Sequence, residues 1–138
     1  MVEISALRYF EISARRKEDA TEEELANQGE LTPQHLLNTV RAEDGTGFRI
    51  RIPTEIEAAV GAIVADVGIE YLISGADSRE ISEPMLLDFV NNVAVMTLIP
   101  FIRQAIADVS QRVFDSPLMM PITQRGEISF SPLPGSET

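Results

Sequence analysis

Side-chain catalysis in this chain would have to rest on very few groups. His35 is the only histidine, and no serine, cysteine or second histidine stands near it in the sequence. An isolated imidazole of this kind is more often a packing or surface residue than a catalytic one. Four acids on two predicted strands could pair for general acid–base chemistry, namely Glu55, Glu57, Asp66 and Glu70. Nothing around them would raise a pKa or exclude water, so the sequence predicts no catalytic residue and no enzyme.

Metal, phosphate and cofactor sites are equally without support. The acidic run Glu22–Glu24 lacks the alternating ligands and the turn glycine of a calcium loop, so it is typical of a solvated face. Gly45-Thr46-Gly47 is too short to cradle a phosphate and precedes a strand instead of a helix. The chain has no cysteine, which excludes thiolate sites and disulfides. We therefore expect no metal and no cofactor.

The charge of the chain limits its partners. A formal net charge of −11 over 138 residues argues against nucleic acid, because nothing could neutralise a run of phosphates. A basic partner, or simply solubility, is the better interpretation. The N-terminal MVEISALRYF lacks the pattern of a signal peptide, so a cytoplasmic protein is expected. The longest nearly uncharged stretch, Phe89 to Ile102, falls short of bilayer thickness, and no membrane span is predicted.

The elements that must position any site begin with strands. Residues Ser5 to Arg15 read as a first strand. His35 to Glu43 and Phe48 to Glu57 flank the glycine-containing turn Asp44–Gly47, a strong hairpin signal. Val60 to Ile73 is a fourth strand. Pro53 suggests an edge or a bulge, and Gly61 and Gly68 suggest a turn and a bulge.

Beyond Gly75 the apolar pattern changes to a helical period. Ser82-Glu83-Pro84 has the sequence of a helix start, followed by a short helix over Met85 to Val93. A longer helix is predicted to begin near Thr97, because Pro100 is tolerated only in a first turn. One stripe of apolar residues lies along it: Val95, Leu98, Ile99, Ile102, Ile106, Val109 and Val113.

The order of elements, strands first and helices last, predicts an α+β fold. A four-stranded antiparallel sheet would carry a short and a long C-terminal helix on one face. We expect one domain over residues 1–130, in which residues 16–33 form a mobile charged connection. Residues 131–138 would form a flexible tail. Such a sheet leaves a face or an edge to be covered by another copy, so a homo-oligomer is expected.

Several segments together resemble the SecB family of export chaperones. The family places a proline, an aromatic residue and an arginine early in its main helix, as Pro100, Phe101 and Arg103 stand here. A proline-containing extended piece follows, matched from Pro117 through Pro121 to Ile122. Ala65 to Ile73 is similar to the family's last strand, and Glu11 to Ser13 to part of its first. The resemblance covers most of Leu7 to Ile122.

This resemblance implies a function without chemistry. SecB-like proteins are cytoplasmic chaperones for protein export and transport that bind unfolded polypeptides without nucleotide. They assemble as homodimers paired into homotetramers. Their grooves hold clients through apolar side chains and edge hydrogen bonds. Divergent members serve toxin–antitoxin systems as dedicated chaperones of an antitoxin.

Two sets of candidate residues follow from the resemblance. In the family, an acidic sheet surface docks the translocase motor SecA, and Glu11, Val64 and Asp66 match it in character. The family's second acid on that strand is Arg15 in this chain, a charge reversal that argues against docking. The family's closing amphipathic helix is also missing. Candidate client-binding residues flank the connection, the last strand and the extended piece: Phe48, Tyr71, Met85, Leu86, Phe89, Met119 and Met120.

Three functions remain open from the sequence. A SecB-like chaperone, general or dedicated to one antitoxin, leads, because the methionines suit a surface that must accept irregular partners. A non-chaperone oligomeric or assembly protein would use the same fold without an exposed apolar groove. A small-molecule enzyme would need a deep pocket where acids converge. The alternative for the apolar candidates is ordinary core packing.

Overall fold

A computed structural model describes residues 1–19, 32–115, 117–118, 120 and 126–131. Five strands come first along the chain: β1 (Val2–Arg16), β2 (Gln34–His35), β3 (Asn38–Arg41), β4 (Gly47–Ala58) and β5 (Gly61–Ile73). A 3₁₀ turn (Ser78–Glu80), helix α1 (Glu83–Phe89), a π turn (Val90–Ala94) and helix α2 (Val95–Phe114) follow. The predicted α+β class, an antiparallel sheet with helices on one face, is confirmed.

The sheet is antiparallel throughout, in the order β1-β5-β4-β2, and β3 also pairs with β4. The predicted hairpin is confirmed. Its turn is closed by the Ala42 amide donating to the Gly47 carbonyl at 2.9 Å, and Gly45 adopts a φ of 77°. A positive φ is the conformation that favours glycine in a tight reversal. Along this order, β1 forms one edge and β2 with β3 the other.

Pro53 divides the strand that the sequence predicted as one piece over His35 to Glu43. Leu36 and Pro53 face each other between β2 and β3, and the Leu36 amide donates to the Pro53 carbonyl at 2.8 Å. Pro53 has no N–H to return the second bond of an antiparallel pair. The outer strand is therefore two short strands. Pro53 itself lies in the inner strand β4, beside the edge and not on it.

Each central strand has one buried and one more open face. In β4 the buried positions run in steps of two from Phe48 to Ile56, and in β5 from Ile63 to Tyr71. Their partners in register share that face, as Ile50 does with Ile69. Helix α2 packs against β5, β1 and β4. We call this side the helix face and the opposite side, which carries the charged residues, the open face.

A bulge lies in β1, not at Gly68. The register between β1 and β5 shifts between Tyr9 and Glu11, which leaves Phe10 as an extra residue. Gly68 accommodates the ring of Phe10, because a Cβ at Gly68 would lie 2.8 Å from Phe10 Cε2. The predicted turn next to Gly61 is confirmed: residues 59–60 form it, and Gly61 is the first residue of β5, paired with Ala58 at the end of β4.

The start of the short helix is as the sequence predicts. The Ser82 hydroxyl accepts a hydrogen bond from the Met85 amide at 3.2 Å, and Pro84 occupies the first turn. The predicted beginning of the long helix near Thr97 is wrong. Helical backbone continues from α1 through the π turn into α2, where Pro100 is an interior residue.

Burial explains why Pro100 does not end the helix. A proline in a helix interior costs about 3 kcal/mol, since it lacks an N–H and crowds the preceding turn. Leu98, Ile99 and Ile102 surround Pro100 in sequence, and all three are fully or almost fully buried. Burial of each such side chain contributes about 1.5–3 kcal/mol. Their combined contribution exceeds the cost of the proline.

The continuous helix has one further property. By length and composition alone, the helical stretch Glu83–Phe114 could cross a membrane. The nearly uncharged stretch identified from the sequence, Phe89 to Ile102, is shorter than this helix. One face of α2 is buried: Val95, Leu98, Ile99, Ile102, Ala105 and Ile106. The core helix of a globular domain has the same properties.

After α2 the chain returns along the helix. Asp115 ends the helix with a φ of 63°. The Ser110 hydroxyl then accepts a hydrogen bond from the Leu118 amide at 2.7 Å, and Arg103 Nε donates to the Met120 carbonyl at 3.2 Å. Leu118 and Met120 are buried. Residues 20–31 of the predicted connection and residues 132–138 of the predicted tail lie outside the described residues.

Candidate functional site

An apolar groove lies between β1 and helix α2. Its cavity has a volume of about 450 Å³. The lining residues are Tyr9, Ile12, Phe101, Gln104, Ala105, Asp108, Val109 and Arg112. We call this groove the β1 seam.

The β1 seam is open because α2 packs on both β5 and β1 but covers β1 only in part. Tyr9 and Ile12 are 49% and 45% exposed, whereas their register partners Val67 and Ala65 on β5 are fully buried. The outer edge of β1 has no partner strand among the described residues. A half-buried apolar row beside an unpaired strand edge is a surface that another chain can extend.

A second groove lies on the other side of the helices, next to β2. Its cavity of about 390 Å³ is lined by Pro33, His35, Met120, Glu127, Ile128, Ser129 and Phe130. We call it the β2-side groove. Part of its wall is the chain's own segment Gly126–Ser131, whose residue Phe130 is hydrogen-bonded to the Asn91 side chain.

His35 lines this groove, and its ring is partly buried against a neighbouring strand. Its Nδ1 lies 2.7 Å from the hydroxyl of the buried Thr54. Burial lowers the pKa of His35 below its ordinary value of 6.5. Glu127 is the acid in the groove wall. No group of three or more potential metal-ligating side chains occurs within the described ranges.

The other acids considered for catalysis are dispersed. Asp66 and Glu70 are each paired with an arginine, Arg51 and Arg8 respectively. Glu55 and Glu57 are exposed on the open face of β4. The four carboxylates therefore do not converge on a shared cavity.

Three predicted client-binding residues form one aromatic cluster. The rings of Phe48 and Tyr71 are stacked with centroids 5.2 Å apart, and Phe89 meets them edge-on at 5.4 and 5.0 Å. Burial raises the pKa of Tyr71 to about 12, and a weak interaction with Thr97 opposes the rise. The Tyr71 hydroxyl makes no hydrogen bond of normal geometry within the described residues.

The seven predicted client-binding residues differ in exposure. Phe48, Tyr71, Leu86 and Met120 are buried within the chain, and Phe89 is half-buried. Met85 is 64% exposed on the first turn of α1. That turn is tied to β3 by an ion pair between Glu83 and Arg41 at 2.9 Å. Met119 lies outside the described residues.

The predicted docking residues lie together on the open face. Glu11 and Asp66 are partners in the β1–β5 register, and Val64 lies two positions before Asp66 on β5. Arg15 is exposed on the same side of β1. Asp66 is nearly buried and binds the guanidinium of Arg51, which raises the pKa of Arg51.

The residues that match the SecB family motif do not form one site. Phe101 lines the β1 seam, and Pro100 is exposed beside it. Arg103 binds the returning chain at Met120, and Pro117 is exposed. Pro121 lies outside the described residues.

Comparison with solved structures decides the fold. The SecB-like chaperone Rv1957 of Mycobacterium tuberculosis, in complex with a ChAD peptide from the HigA1 antitoxin, matches with a TM-score of 0.71. The match has 18% sequence identity and covers 89% of this chain and 88% of the other. The chain has a SecB-like fold. The resemblance found in the sequence is thereby confirmed at the level of the fold.

Other comparisons add little to the SecB-like fold. A protein of unknown function from Streptococcus agalactiae matches with a TM-score of 0.47 and 12% identity, over 88% of this chain and 98% of the other. No protein-family model matches the chain. No curated protein matches it either.

Sequence reasoning missed two features of the SecB-like chain. Tyr9 and Ile12 were not among the candidate residues, although they are apolar residues of β1 on one face. The bulge at Phe10 disturbs the alternation that would have revealed them. Asn91 was also missed, because its partner Phe130 lies 39 residues away and no local pattern joins the two.

Proposed function

We propose that this chain is a molecular chaperone of the cytosol that binds extended segments of unfolded polypeptides without nucleotide. The observation that carries the proposal is the β2-side groove on a SecB-like fold. This groove of about 390 Å³ has apolar and polar walls, and residues 127–130 of the chain itself form part of them. Such a surface can bind many sequences, because backbone contacts do not depend on side chains.

The two grooves suit different partners. The β1 seam is built on a strand of 15 residues and a helix of 20, and its apolar residues Tyr9 and Ile12 belong to an edge strand that has no outer partner in the described part of the chain. We assign the β1 seam to a second copy of the chain, because a rigid apolar surface suits a permanent interface. Asp108 and Arg112 on its rim offer complementary charges to an identical partner.

The β2-side groove and the exposed start of α1 then form the client surface. Met85 contributes a flexible apolar side chain to that surface, and Met120 lines the groove. A client side chain that becomes buried contributes about 1.5–3 kcal/mol. Several along one segment are needed for micromolar affinity, which corresponds to about 8 kcal/mol. Phe48, Tyr71 and Leu86 are buried in the core and Phe89 is half-buried, so we do not assign these four residues to the client surface.

A dedicated client is the second candidate. The SecB-like neighbour is described in complex with an antitoxin peptide. In the present chain the charge of Asp66 is taken up by Arg51, and Arg15 adds a positive charge to the open face. Both features weaken an acidic docking surface for SecA. We therefore propose that clients are protected for a dedicated partner, such as an antitoxin, and not handed to SecA.

Suppression of aggregation tests the proposal. The protein is added without nucleotide to a chemically unfolded client during dilution, and light scattering is followed. We expect suppression at near-stoichiometric amounts. Met85→Asp should weaken suppression at least several-fold. Leu72→Asp is the matched control, because Leu72 is also an exposed apolar residue but lies on the open face. Circular dichroism checks that both variants are folded.

Two outcomes would contradict the proposal. Failure of the wild-type protein to suppress aggregation of several clients, including an antitoxin, would leave an oligomeric assembly protein as the better account. Equal losses of aggregation suppression in Met85→Asp and Leu72→Asp would show that α1 is not part of the client surface. For the β1 seam, light scattering coupled to size exclusion should show an oligomer that Ile12→Asp dissociates.

A further inference from the structure

The Asn91 side chain binds the backbone of Phe130 with two hydrogen bonds. Its amide donates to the Phe130 carbonyl at 3.0 Å, and its side-chain oxygen accepts from the Phe130 amide at 2.8 Å. A neighbouring β-strand offers the same pair of donor and acceptor. Both bonds go to main-chain atoms, so the contact can hold any extended residue except proline at this position.

The position of Asn91 depends on the π turn Val90–Ala94. The Val95 amide bonds to the Val90 carbonyl, five residues back, which widens the helix at this point. Single π turns inside α-helices occur frequently at functional sites. In this chain the turn holds Asn91 half-buried on the side of the returning chain, next to the fully buried Val90.

The segment Gly126–Ser131 begins with a turn and bend over residues 126–128 and packs on the core through alternate residues. Ile128 and Phe130 are half-buried and pack against the core, whereas Glu127, Ser129 and Ser131 are exposed. An extended peptide also contacts a surface through alternate side chains, and residues 129–131, which follow the bend, are the part of the segment that can do so. The cavity of the β2-side groove remains between this segment and His35. The segment therefore does not fill its groove.

We propose that Gly126–Ser131 occupies a peptide-binding site in cis and that a client segment with an aromatic residue displaces it. Asn91 forms hydrogen bonds with the backbone of the segment bound at this site. The aromatic side chain of the client takes the position that Phe130 occupies in the free chain. This inference rests on the proposed function for the identity of the competitor. A tethered occupant competes at an effective concentration in the millimolar range, so only segments that bind well exchange with it.

Binding of a free hexapeptide tests the site without a client. The probe is a fluorescein-labelled peptide with the sequence of residues 126–131, GEISFS, added to the full chain and followed by fluorescence anisotropy. Phe130→Asp should release the tethered segment and tighten binding of the probe at least 10-fold relative to the wild-type protein. Adding Asn91→Ala to Phe130→Asp should abolish the gain. If Phe130→Asp does not fold, Ile128→Ser serves as the second releasing variant.

Equal binding of the probe by the wild-type protein and a folded releasing variant would overturn the inference, and so would a gain that survives Asn91→Ala. The result is separable from the chaperone proposal. A gain that requires Asn91 supports the site even if no client is protected from aggregation. Conversely, suppression of aggregation together with an unchanged probe affinity would support the chaperone function and contradict the proposal that Gly126–Ser131 occupies a client site.

Discussion

Arg51 binds both carboxylate oxygens of Asp66 on the open face of the sheet, with its guanidinium 4.0 Å from the ring centre of Phe10. Gly68 makes room for this arrangement, because a Cβ there would clash with both Phe10 and Arg51. The bulge in β1, the glycine in β5 and the ion pair are thus one structural unit. It neutralises an acid that the family resemblance assigned to docking.

Loss of this ion pair should destabilise the fold. Asp66→Asn leaves the half-buried Arg51 guanidinium without its carboxylate, so we expect the free energy of unfolding to fall by about 1–3 kcal/mol. Glu70→Gln is the control, since the Arg8–Glu70 pair is more exposed and should contribute less than about 1 kcal/mol. Urea denaturation measures both. Equal effects would show that the Arg51 pair has no special role.

Pro100 should be a cost to stability that the chain tolerates. Pro100→Ala restores an amide that can donate to the Met96 carbonyl, and Pro100 is exposed, so no cavity results. We expect the free energy of unfolding to rise by about 1–3 kcal/mol. A lower midpoint of urea denaturation would mean instead that the helix needs the proline.

Tyr71→Phe should be neutral or stabilising near pH 7. The substitution removes a buried hydroxyl that lacks a hydrogen bond of normal geometry, and we expect a gain of up to about 1 kcal/mol. Tyr71 has a pKa raised to about 12, above its ordinary value of 10. The folded chain therefore keeps the Tyr71 proton to higher pH than the unfolded chain does. The free energy of unfolding is not affected by this group below pH 10 and falls as the pH rises toward 12. Alkaline denaturation should set in at higher pH in the variant, and an unchanged alkaline profile would contradict this account.

His35 should make stability dependent on pH on the acid side. Its pKa is lowered in the folded chain, so the unfolded chain binds more protons below pH 6.5. Stability is complete above pH 6.5 and falls as the pH drops through the folded pKa, by no more than about 1.4 kcal/mol per pH unit for one proton. The comparison is with His35→Gln, which keeps the acids and removes the imidazole. A constant difference between the two proteins from pH 7.5 to pH 5 would exclude this effect.

Local signals predicted most of the fold. The cap at Ser82, the turn at Gly45 and the alternation from Phe48 to Ile56 each depend on neighbours in sequence, and the structure confirms all three. The start of α2 was predicted wrongly. The prediction assumed that proline is tolerated only in the first turn of a helix, whereas burial of the neighbouring side chains against the sheet outweighs the cost of Pro100 in the interior. That burial is a property of tertiary packing.

The candidate site was less predictable. Apolar character indicated Met85 and Met120 equally, but one is exposed and the other buried, which depends on where the returning chain lies. The contact between Asn91 and Phe130 joins residues far apart in sequence. Exposure and long-range polar contacts follow from the assembled fold and cannot be read from spacing.

The most direct test of the central claim is methyl NMR of the five methionines during titration with an unfolded client. The protein carries ¹³C-methyl methionine and is otherwise unchanged. Client binding on the side of β2 and α1 predicts shifted or broadened signals for Met85 and Met120. The signal of Met1, exposed at the β1 edge, should stay unchanged. A change confined to Met1, or no change with excess client, would contradict the account.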